Sequence, residues 1–385
     1  MNNLSSIIPI IKTKFSKKYL KFNHAPTLSS KDYKYLKKCL DTEFISTAGK
    51  FVNDFEKKVS NFTSSKYATS TVSGTTALQI ALITVGVKEN DEVLIPCFSF
   101  VATSNSVLYL KAIPNFVDIS FDNLGICPNK LEKYLQNIAI IKNNKCFNKK
   151  TGRRISSIII VHPYGIPAYI EEIIKISKKY NLSVIEDAAA CLGSFYKNKH
   201  LGTFGELGIL SFNGNKIIST GGGGMILTNK KNYSEKSKYL TTVAKKNVKY
   251  QFIHGELGYN YRMPNLNSAL GCSQILSINR LLDNKKKIHK TYKDLFCNQK
   301  NIKFFTNIDY CNSNHWLNTI LIKNSSKKNL LQFLDHFNSN GIAIRPGWNL
   351  LPSLVYLKNF PRDDLSNAIK LKYSIINLPS SPNLV

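Results

Sequence analysis

The chain has 385 residues, which exceeds the usual length of one domain, so two domains are expected. Hydrophobic residues make up 43% of the chain, enough for a sizeable core, and this composition argues against a largely disordered protein. No stretch approaches the roughly 20 apolar residues that a membrane helix needs, so no membrane-spanning helix is predicted.

Charge is the most unusual feature of the composition. Lys and Arg number 53 against 24 Asp and Glu, which gives a formal net charge of +29. Such a charge suggests an anionic partner: nucleic acid, a membrane surface or a phosphorylated small molecule. The excess is mostly Lys beside abundant Asn and Ile, a mixture that AT-rich codon usage would also produce. Because no nucleic-acid-binding motif accompanies the charge, nucleic acid is not predicted as a partner, although a non-enzymatic basic polyanion-binding protein stays open.

The cysteines predict neither a metal site nor a disulfide framework. They lie far apart, and no pair has the C-x-x-C spacing of a zinc or redox site. This usage fits a reducing cytoplasm best. The eight residues are Cys39, Cys97, Cys127, Cys146, Cys191, Cys272, Cys297 and Cys311.

The N-terminal part predicts a basic arm followed by helices. Residues 1–25 lack a clear pattern, and their short apolar run has no small-residue cleavage site, so a secretory signal is not predicted. Apolar residues at helical spacing then predict three helices, at 29–40, 51–62 and 73–87.

The middle of the chain alternates short β-rich runs with a helical pattern, which is typical of an α/β layer with a largely parallel sheet. Such sheets bind ligands at the carboxyl ends of their strands. The basic stretch 142–154 predicts an exposed loop. The predicted strands are 92–95, 155–161, 183–185, 207–212 and 225–228, with a helix at 170–180.

After about residue 261 the pattern changes to long helices (265–296), then a strand (316–322), a helix (328–338) and a strand (342–345). This order predicts a smaller C-terminal α/β domain. The expected division is a basic arm at 1–25, a large domain at 26–260 and a small domain at 261–385.

The string SGTTAL (73–78) begins the third predicted helix. Free backbone N–H groups, the helix dipole and the hydroxyls of Ser73, Thr75 and Thr76 would make an anion site there. Ser and Thr also cap most helices, so a structural role stays open.

A carboxylate and a lysine follow two of the predicted strands. A carboxylate such as Asp187, directly after a strand, is more often a helix cap than a catalyst. It would also suit as the charge partner of a protonated ring nitrogen at the sheet edge. Lys216 lies five residues after Ser211 and before four glycines. Most lysines are solvated, but one bracketed by apolar strands and glycines can be partly buried, which lowers its pKa and makes it nucleophilic. The glycines lack P-loop spacing and predict a turn that allows close backbone approach.

Three polar residues precede a helix that begins near Pro264: Tyr259, Asn260 and Arg262. They are expected in a loop, available to a ligand or a partner subunit. An anion cradle, a carboxylate and a lysine on one α/β layer are what pyridoxal phosphate (PLP) catalysis requires. The lysine forms a Schiff base with the aldehyde, and the carboxylate keeps the pyridine nitrogen protonated.

With these motifs the chain resembles the DegT/StrS family of sugar-nucleotide aminotransferases, from about residue 25 to the C-terminus. Its LegC-like branch is most similar, through strings such as ISTAGKF, WLNT (316–319), RPGW (345–348) and NLPSS (377–381). The resemblance implies the PLP-dependent transferase fold type I (aspartate-aminotransferase-like), with a large, mostly parallel seven-stranded sheet and a smaller C-terminal α/β domain. The family blocks are STAGKFV with FE (46–56), SGTTAL, PCFSFVAT (96–103), HPYG (162–165), EDAA (186–189), SFNGNK (211–216) and GYNYRMPN (258–265).

Members of this branch convert a UDP-linked 2-acetamido-2,6-dideoxy-4-hexulose to its 4-amino sugar, usually with glutamate as donor, for surface-glycan or nonulosonic acid biosynthesis. The resemblance implies the same activity here. Aminotransferases of GDP- or dTDP-linked keto sugars (perosamine-type) stay open, since nucleotide choice depends on loops. A PLP-dependent sugar dehydratase of this fold would typically carry His at position 216, so Lys216 disfavours it.

The resemblance also implies roles for the cofactor site. Lys216 becomes the Schiff-base and proton-shuttling lysine, and Asp187 the partner of the pyridinium nitrogen. The phosphate would be held by Gly74, Thr75 and Ser211.

Phe100 would stack on the cofactor ring, and Asn260 would reach the phosphate in the neighbouring subunit, which implies a homodimer with composite sites. Arg262 and Arg345 are anion-binding candidates for the diphosphate or the donor carboxylate, and His315 would line the substrate site or serve a structural role. The substrate candidates are Thr47, Arg262, His315 and Arg345.

One position departs from the family pattern. Members commonly place Gln, His or Glu three residues after the Asp, near the ring hydroxyl or the substrate, and here this residue is Ala190. Losing one hydrogen bond would cost on the order of 1 kcal/mol in cofactor affinity or rate. The lysine and the aspartate are intact, so activity is expected.

Overall fold

A mixed β-sheet forms the centre of the protein, seen in a computed structural model that describes residues 7–306 and 308–385. The strands of these residues, in chain order, are β1 (Tyr67–Thr71), β2 (Glu92–Pro96), β3 (Ile113–Val117), β4 (Ala139–Lys142), β5 (Lys145–Asn148), β6 (Arg154–Val161), β7 (Ser183–Asp187), β8 (Phe195–Tyr196), β9 (Lys199–His200), β10 (Leu207–Ser211), β11 (Gly224–Thr228), β12 (Ile302–Phe304), β13 (Cys311–Asn312), β14 (Asn318–Ile322), β15 (Arg345–Pro346) and β16 (Ile375–Leu378).

The helices surround this sheet and build the C-terminal part of the molecule. In the described residues they are α1 (Ile7–Lys14), α2 (Lys17–Leu20), α3 (Ser30–Leu40), α4 (Lys50–Thr63), α5 (Gly74–Thr84), α6 (Ala102–Leu108), α7 (Pro128–Ile138), α8 (Ile170–Lys179), α9 (Lys231–Thr241), α10 (Asn265–Gln274), α11 (Ile278–Phe296), α12 (Lys327–Ser339) and α13 (Ser366–Leu371). Short 3-10 turns lie at Pro163–Gly165, Ile275–Ser277, Leu351–Ser353, Val355–Leu357 and Pro382–Leu384.

Seven strands of the central sheet follow the order β1-β11-β10-β7-β6-β2-β3. The pairs from β10 to β3 are parallel, and β11 is antiparallel to both of its neighbours. β4 and β5 join the same sheet through β6, so it has nine strands in the described residues, two more than the predicted seven. Its parallel centre is as predicted, and the arrangement is consistent with fold type I.

Alternate residues of the central strands pack into separate cores on the two faces of the sheet. Ile159 and Ile185 belong to the larger core, whereas Ile158, Ile160 and Val184 belong to the smaller one. Strands buried on both faces give the continuous apolar runs that made them visible in the sequence.

The C-terminal part contains an antiparallel sheet in the order β12-β14-β16-β15, covered by α11 and α12. Its apolar residues form a core of their own, with Phe296, Phe333 and Ile376 among the buried members. The predicted smaller α/β domain is therefore present.

The N-terminal segment differs from the predicted arm. Residues 7–25 contain α1 and α2, while residues 1–6 of that arm lie outside the described residues. Ile7, Ile8 and Ile11 are buried and pack with the core that contains Ile288 of α11. Pro9 is tolerated because the first turn of a helix needs no N–H donor there. The segment is thus integrated into the small domain.

The stretch 142–154 is mostly exposed, as its charge predicted, but it is not a loop throughout. Most of it forms the β4–β5 hairpin, which joins the central sheet through β6. The buried amide of Asn148 donates to Glu92 Oε2 at 2.8 Å at the start of β2. The lysines of the stretch 142–154 are exposed, whereas the contact between Asn148 and Glu92 holds the hairpin against β2.

The cores change inside α11, later in the chain than the predicted boundary at 261. α10 packs on α3 and α4 of the large domain. Ile278 and Leu281 belong to the large core, whereas Ile288 and Tyr292 belong to the small-domain core. α11 therefore connects the two cores.

None of the helices among residues 7–306 and 308–385 is long and apolar enough to cross a membrane.

Two neighbouring isoleucines test the packing of α1. Ile11 is fully buried and Ile10 is 40% exposed. Ile11→Ala should therefore lower the free energy of unfolding by about 2–5 kcal/mol, because it leaves a cavity. Ile10→Ala should change it by no more than about 0.5 kcal/mol. Urea unfolding of both variants measures the difference, and equal effects would contradict the docking of α1.

Candidate functional site

A cavity of about 390 Å³ opens at the carboxyl edge of the central sheet. It lies where the adjoining strands β2, β6, β7 and β10 end. Val161, Asp187 and Ser211 are the last residues of β6, β7 and β10, and all three line it. Parallel sheets bind ligands at this edge, and the volume falls within the roughly 300–1,000 Å³ of ligand pockets. The cavity is the candidate site.

Asp187 is buried, and its carboxylate is held in a fixed orientation. The Thr103 hydroxyl on α6 donates to Oδ2 at 2.8 Å, and the Ala189 N–H donates to Oδ1 at 3.3 Å. Because Thr103 directs its proton to Asp187, its oxygen accepts from the Ser99 hydroxyl at 2.7 Å. Burial raises the pKa of Asp187, while these hydrogen bonds and the charge of Lys216 act in the opposite direction.

Lys216 is partly buried in the turn that follows β10. The backbone N–H of Lys216 donates to the Asn213 carbonyl at 2.9 Å, and the side-chain Nζ lies 4.0 Å from the centroid of the Trp316 ring. Burial lowers the pKa of Lys216 to about 8, although the charge of Asp187 and, less so, Cys191 raise it. Near this pH a large fraction of the amine is neutral, as a nucleophile or proton acceptor must be.

The start of α5 forms an anion cradle beside Lys216. Ser73 Oγ accepts from the Thr76 N–H at 3.1 Å and caps the helix. Gly74, Thr75 and Ser211 line the cavity next to this cap. Free N–H groups of the first helical turn, together with the hydroxyls, favour a bound anion.

The glycine run at 221–224 brings β11 against this cradle. A side chain on Gly224 would contact the Ser73 carbonyl and would lie 2.7 Å from the Gly74 nitrogen. Gly222 and Gly223 line the cavity. The structure confirms the predicted turn with close backbone approach.

Behind the cavity, His162 and Glu186 form a buried polar pair. His162 Nδ1 accepts from the Ala168 N–H at 3.0 Å, so its Nε2–H donates to Glu186 at 3.3 Å. Burial raises the pKa of Glu186, but hydrogen bonds from His162, Gly205 and Gly202 outweigh it and hold the pKa below its ordinary value. His162 also lines the cavity, and its two hydrogen bonds fix the orientation of its ring in that wall.

Aromatic side chains complete the cavity wall. Trp316 precedes β14 and Trp348 follows β15, so both come from the C-terminal part of the chain. The Trp348 ring centroid lies 4.3 Å from that of Tyr164 and 6.4 Å from that of Phe100. Phe100 is 58% exposed, which leaves its ring accessible to a ligand. Neither tryptophan was among the predicted site residues, although the strings WLNT and RPGW contain them.

Several predicted residues lie elsewhere in the described chain. Arg262 is buried with its guanidinium 2.5 Å from Glu56, and it also donates to the Ser70 carbonyl. His315 stacks on His289 at 3.7 Å, and Arg345 is exposed and donates to Asn338. The described residues that line the cavity do not include Thr47, Asn260, Arg262, His315 and Arg345.

Ala190, the departure from the family pattern, lines the cavity. Its carbonyl accepts from the Asn314 amide at 2.8 Å, so its backbone is engaged while its methyl group offers no hydrogen bond. The structure therefore leaves this part of the wall apolar.

Residues 26–385 match the sequence model of the DegT/DnrJ/EryC1/StrS aminotransferase family. The chain is 31% identical over 366 residues to a GDP-perosamine synthase of Escherichia coli O157:H7, covering 94% of this chain and 93% of that protein. It is 32% identical over 302 residues to a UDP-4-amino-4,6-dideoxy-N-acetyl-beta-L-altrosamine transaminase of Campylobacter jejuni subsp. jejuni serotype O:23/36 (strain 81-176), covering 78% and 72%. Among solved structures, Helicobacter pylori PseC, an aminotransferase involved in the biosynthesis of pseudoaminic acid, is similar over 94% of each chain, with a TM-score of 0.85 and 25% identity.

The lowered pKa of Lys216 predicts a pH-dependent stability difference. In the ligand-free protein, Lys216→Met should raise Tm, because it removes a buried ammonium, and more at pH 7 than at pH 9.5. The folded-state pKa of about 8 lies below the ordinary value, so above pH 8 the unfolded chain binds more protons and stability rises with pH. The difference in Tm between Lys216→Met and wild type therefore shrinks as the pH rises above 8.

Thermal unfolding of wild type and variant between pH 7 and pH 10 measures this difference. Lys199→Met, at an exposed lysine of β9, is the matched control and should show no such trend. A pH-independent gap between wild type and Lys216→Met would contradict the lowered pKa.

Proposed function

We propose, because the chain belongs to the DegT/DnrJ/EryC1/StrS family of sugar aminotransferases, that it uses PLP to aminate C4 of a nucleotide-linked 4-keto-6-deoxyhexose. One observation carries the proposal. Lys216, Asp187 and the anion cradle at the start of α5 line the same cavity, although they are distant in the sequence.

The residues of the cavity fit PLP. The cradle of Gly74, Thr75 and Ser211 offers N–H and hydroxyl donors for a phosphate. Asp187 lines the cavity, where burial would make an unpaired negative charge costly and a protonated ring nitrogen a favourable partner. Phe100 presents an accessible ring, as a stacking residue must.

PLP, when bound, acts as an electron sink for the carbon that carries the transferred amine. The protein's own groups do the rest. The Lys216 amine, with its pKa near 8, takes the proton from Cα of the amino donor and, in the second half of the reaction, supplies a proton to C4 of the hexose. Asp187, oriented by Thr103, keeps a proton on the ring nitrogen.

We favour a UDP-linked 2-acetamido-2,6-dideoxy-4-hexulose as acceptor and glutamate as donor. The similarity to the C. jejuni UDP-sugar transaminase and to PseC supports this choice, as do the LegC-like strings of the sequence. The similarity to a GDP-perosamine synthase over 94% of the chain supports a GDP-linked keto sugar as the second candidate.

The substrate experiment is incubation of the PLP-loaded protein with glutamate and a panel of UDP-, GDP- and dTDP-linked 4-keto-6-deoxyhexoses. Mass spectrometry reports which member gains an amino group in place of the keto oxygen. Amination of the UDP-linked 2-acetamido sugar is expected. Exclusive amination of a GDP sugar would favour the second candidate, and no amination of any member would refute the proposed function.

We further propose that the enzyme is a homodimer with composite sites. The segment before Asn260 exposes large apolar side chains, with Tyr250 89%, Phe252 83% and Leu257 78% exposed. Clusters of this kind mark protein interfaces, and a second copy is the partner that would bring Asn260 to a phosphate cradle. Asn260 is exposed in the single chain, as this role requires.

Lys216→Ala should abolish turnover and the yellow colour of the lysine-bound cofactor, because no other group takes over the covalent and proton-transfer roles. Asp187→Asn should retain PLP but lose rate by a factor on the order of 10². Absorbance spectra and steady-state kinetics measure both effects, with Lys199→Ala as the exposed-lysine control. Transamination by Lys216→Ala at the normal rate, or an unchanged rate in Asp187→Asn, would remove that residue from its role.

Composite sites predict complementation between two defective variants. Asn260→Asp, which places a carboxylate near the phosphate, should be nearly inactive, as should Lys216→Ala. Mixed after dissociation, they should form heterodimers with one intact site and recover up to about a quarter of wild-type activity. If Asn260 served its own chain's cavity, no heterodimer site would be intact and activity would not recover.

A further inference from the structure

The segment 314–316 is fixed to the loop that follows β7. The Asn314 amide donates to the carbonyls of Ala190 at 2.8 Å and Leu192 at 2.9 Å. Asn314 Oδ1 accepts the Trp316 N–H at 2.9 Å. Because Ala190 lies three residues after Asp187, this contact ties Trp316 to the loop that carries the carboxylate.

The same tryptophan is fixed to the turn that carries Lys216. Its indole N–H donates to the carbonyl of Asn215, the preceding residue, at 2.6 Å. Its own carbonyl accepts from Nζ of Lys285 at 2.8 Å, and Lys285 is fully buried and also donates to the Ser380 carbonyl. The ring therefore has little freedom to move relative to the cavity.

The Lys216 amine lies over the face of this ring. The distance of 4.0 Å from Nζ to the ring centroid is within the roughly 6 Å range of cation–π attraction, which strengthens when the pair is shielded from water. Trp316 is only 5% exposed.

The titratable groups that act on Lys216 or feel its charge are Asp187, Cys191 and His24. Burial lowers the pKa of His24 well below its ordinary value, so it adds no competing charge at neutral pH.

We propose that the face of Trp316 is the resting position of the Lys216 amine whenever this amine is not bonded to the cofactor. The role rests on the proposed function, in which the donor's amine takes the place of Lys216 and the freed amine must then act on Cα. An amine held at one point of the cavity wall returns to that carbon without a search among rotamers. Trp316 is therefore a positioning residue for the reaction.

A purely structural role for Trp316 makes a different prediction. The residue is part of the large core, so its loss alone could destabilise the protein. The useful readout is therefore the chemical reactivity of Lys216 itself. Packing alone would not alter it, whereas loss of the aromatic face would remove stabilisation of the ammonium form.

The experiment is acylation of the cofactor-free protein with acetic anhydride between pH 6 and pH 10, with peptide mass spectrometry of each lysine. Trp316→Leu keeps an apolar wall but removes the aromatic face, so Lys216 should react about tenfold faster at pH 7. Trp316→Phe keeps a ring face and should stay within about threefold of wild type. Trp348→Leu, at the tryptophan that packs on Tyr164, should leave Lys216 labelling unchanged.

An unchanged rate in Trp316→Leu, or an equal rise in Trp348→Leu, would overturn the proposal. So would equal rises at Lys216 and at the buried Lys285, since these would reflect general opening of the fold. The acylation experiment and the test of the proposed aminotransferase function can fail independently of each other. PLP that produces no spectral change with the wild-type protein would refute the aminotransferase assignment while leaving the acylation rates as measured.

Discussion

A lysine amine and a buried carboxylate that line one cavity at the edge of a parallel sheet are the constraint on which the rest of the site depends. Removing an ammonium from water is costly, and the charge of Asp187 offsets only part of that cost, so the pKa of Lys216 falls to about 8. Strand register brings the two groups to the same cavity. Asp187 on β7 aligns with Ile209 on β10, and the turn after β10 returns Lys216 to the same cavity. Two groups whose pKa values are shifted toward neutrality are suited to proton transfer.

The sequence allowed the central strands to be predicted because they are buried on both faces. The prediction of 155–161, for example, matches β6 within one residue. β1 and β3 could not be predicted, since YATST and IPNFV are short and contain polar residues or proline. Their stability comes from pairing with β11 and β2, which only the folded chain provides. Likewise, basic composition concealed the apolar face of α1, whose partner in α11 is far along the chain.

Motif order predicted which residues come together at the edge of the sheet. Strands of one parallel layer end at one edge, so Asp187, Ser211 and Lys216 were expected to be neighbours, and they line one cavity. Long-range partners could not be predicted in this way. Arg262 was expected at a substrate anion, but Glu56, distant in sequence, pairs with it in the interior. The tryptophans from the C-terminal part were missed for the same reason, because only the packing of that part places them on the cavity.

Direct identification of the lysine that binds the cofactor is the sharpest test of the proposed role of Lys216. The protein is equilibrated with PLP, the Schiff base is reduced with borohydride, and the digested chain is mapped by mass spectrometry. We expect one phosphopyridoxyl group, on the peptide that contains Lys216, despite the abundance of surface lysines. A modification located on a different lysine, or distributed over many of them, would contradict it.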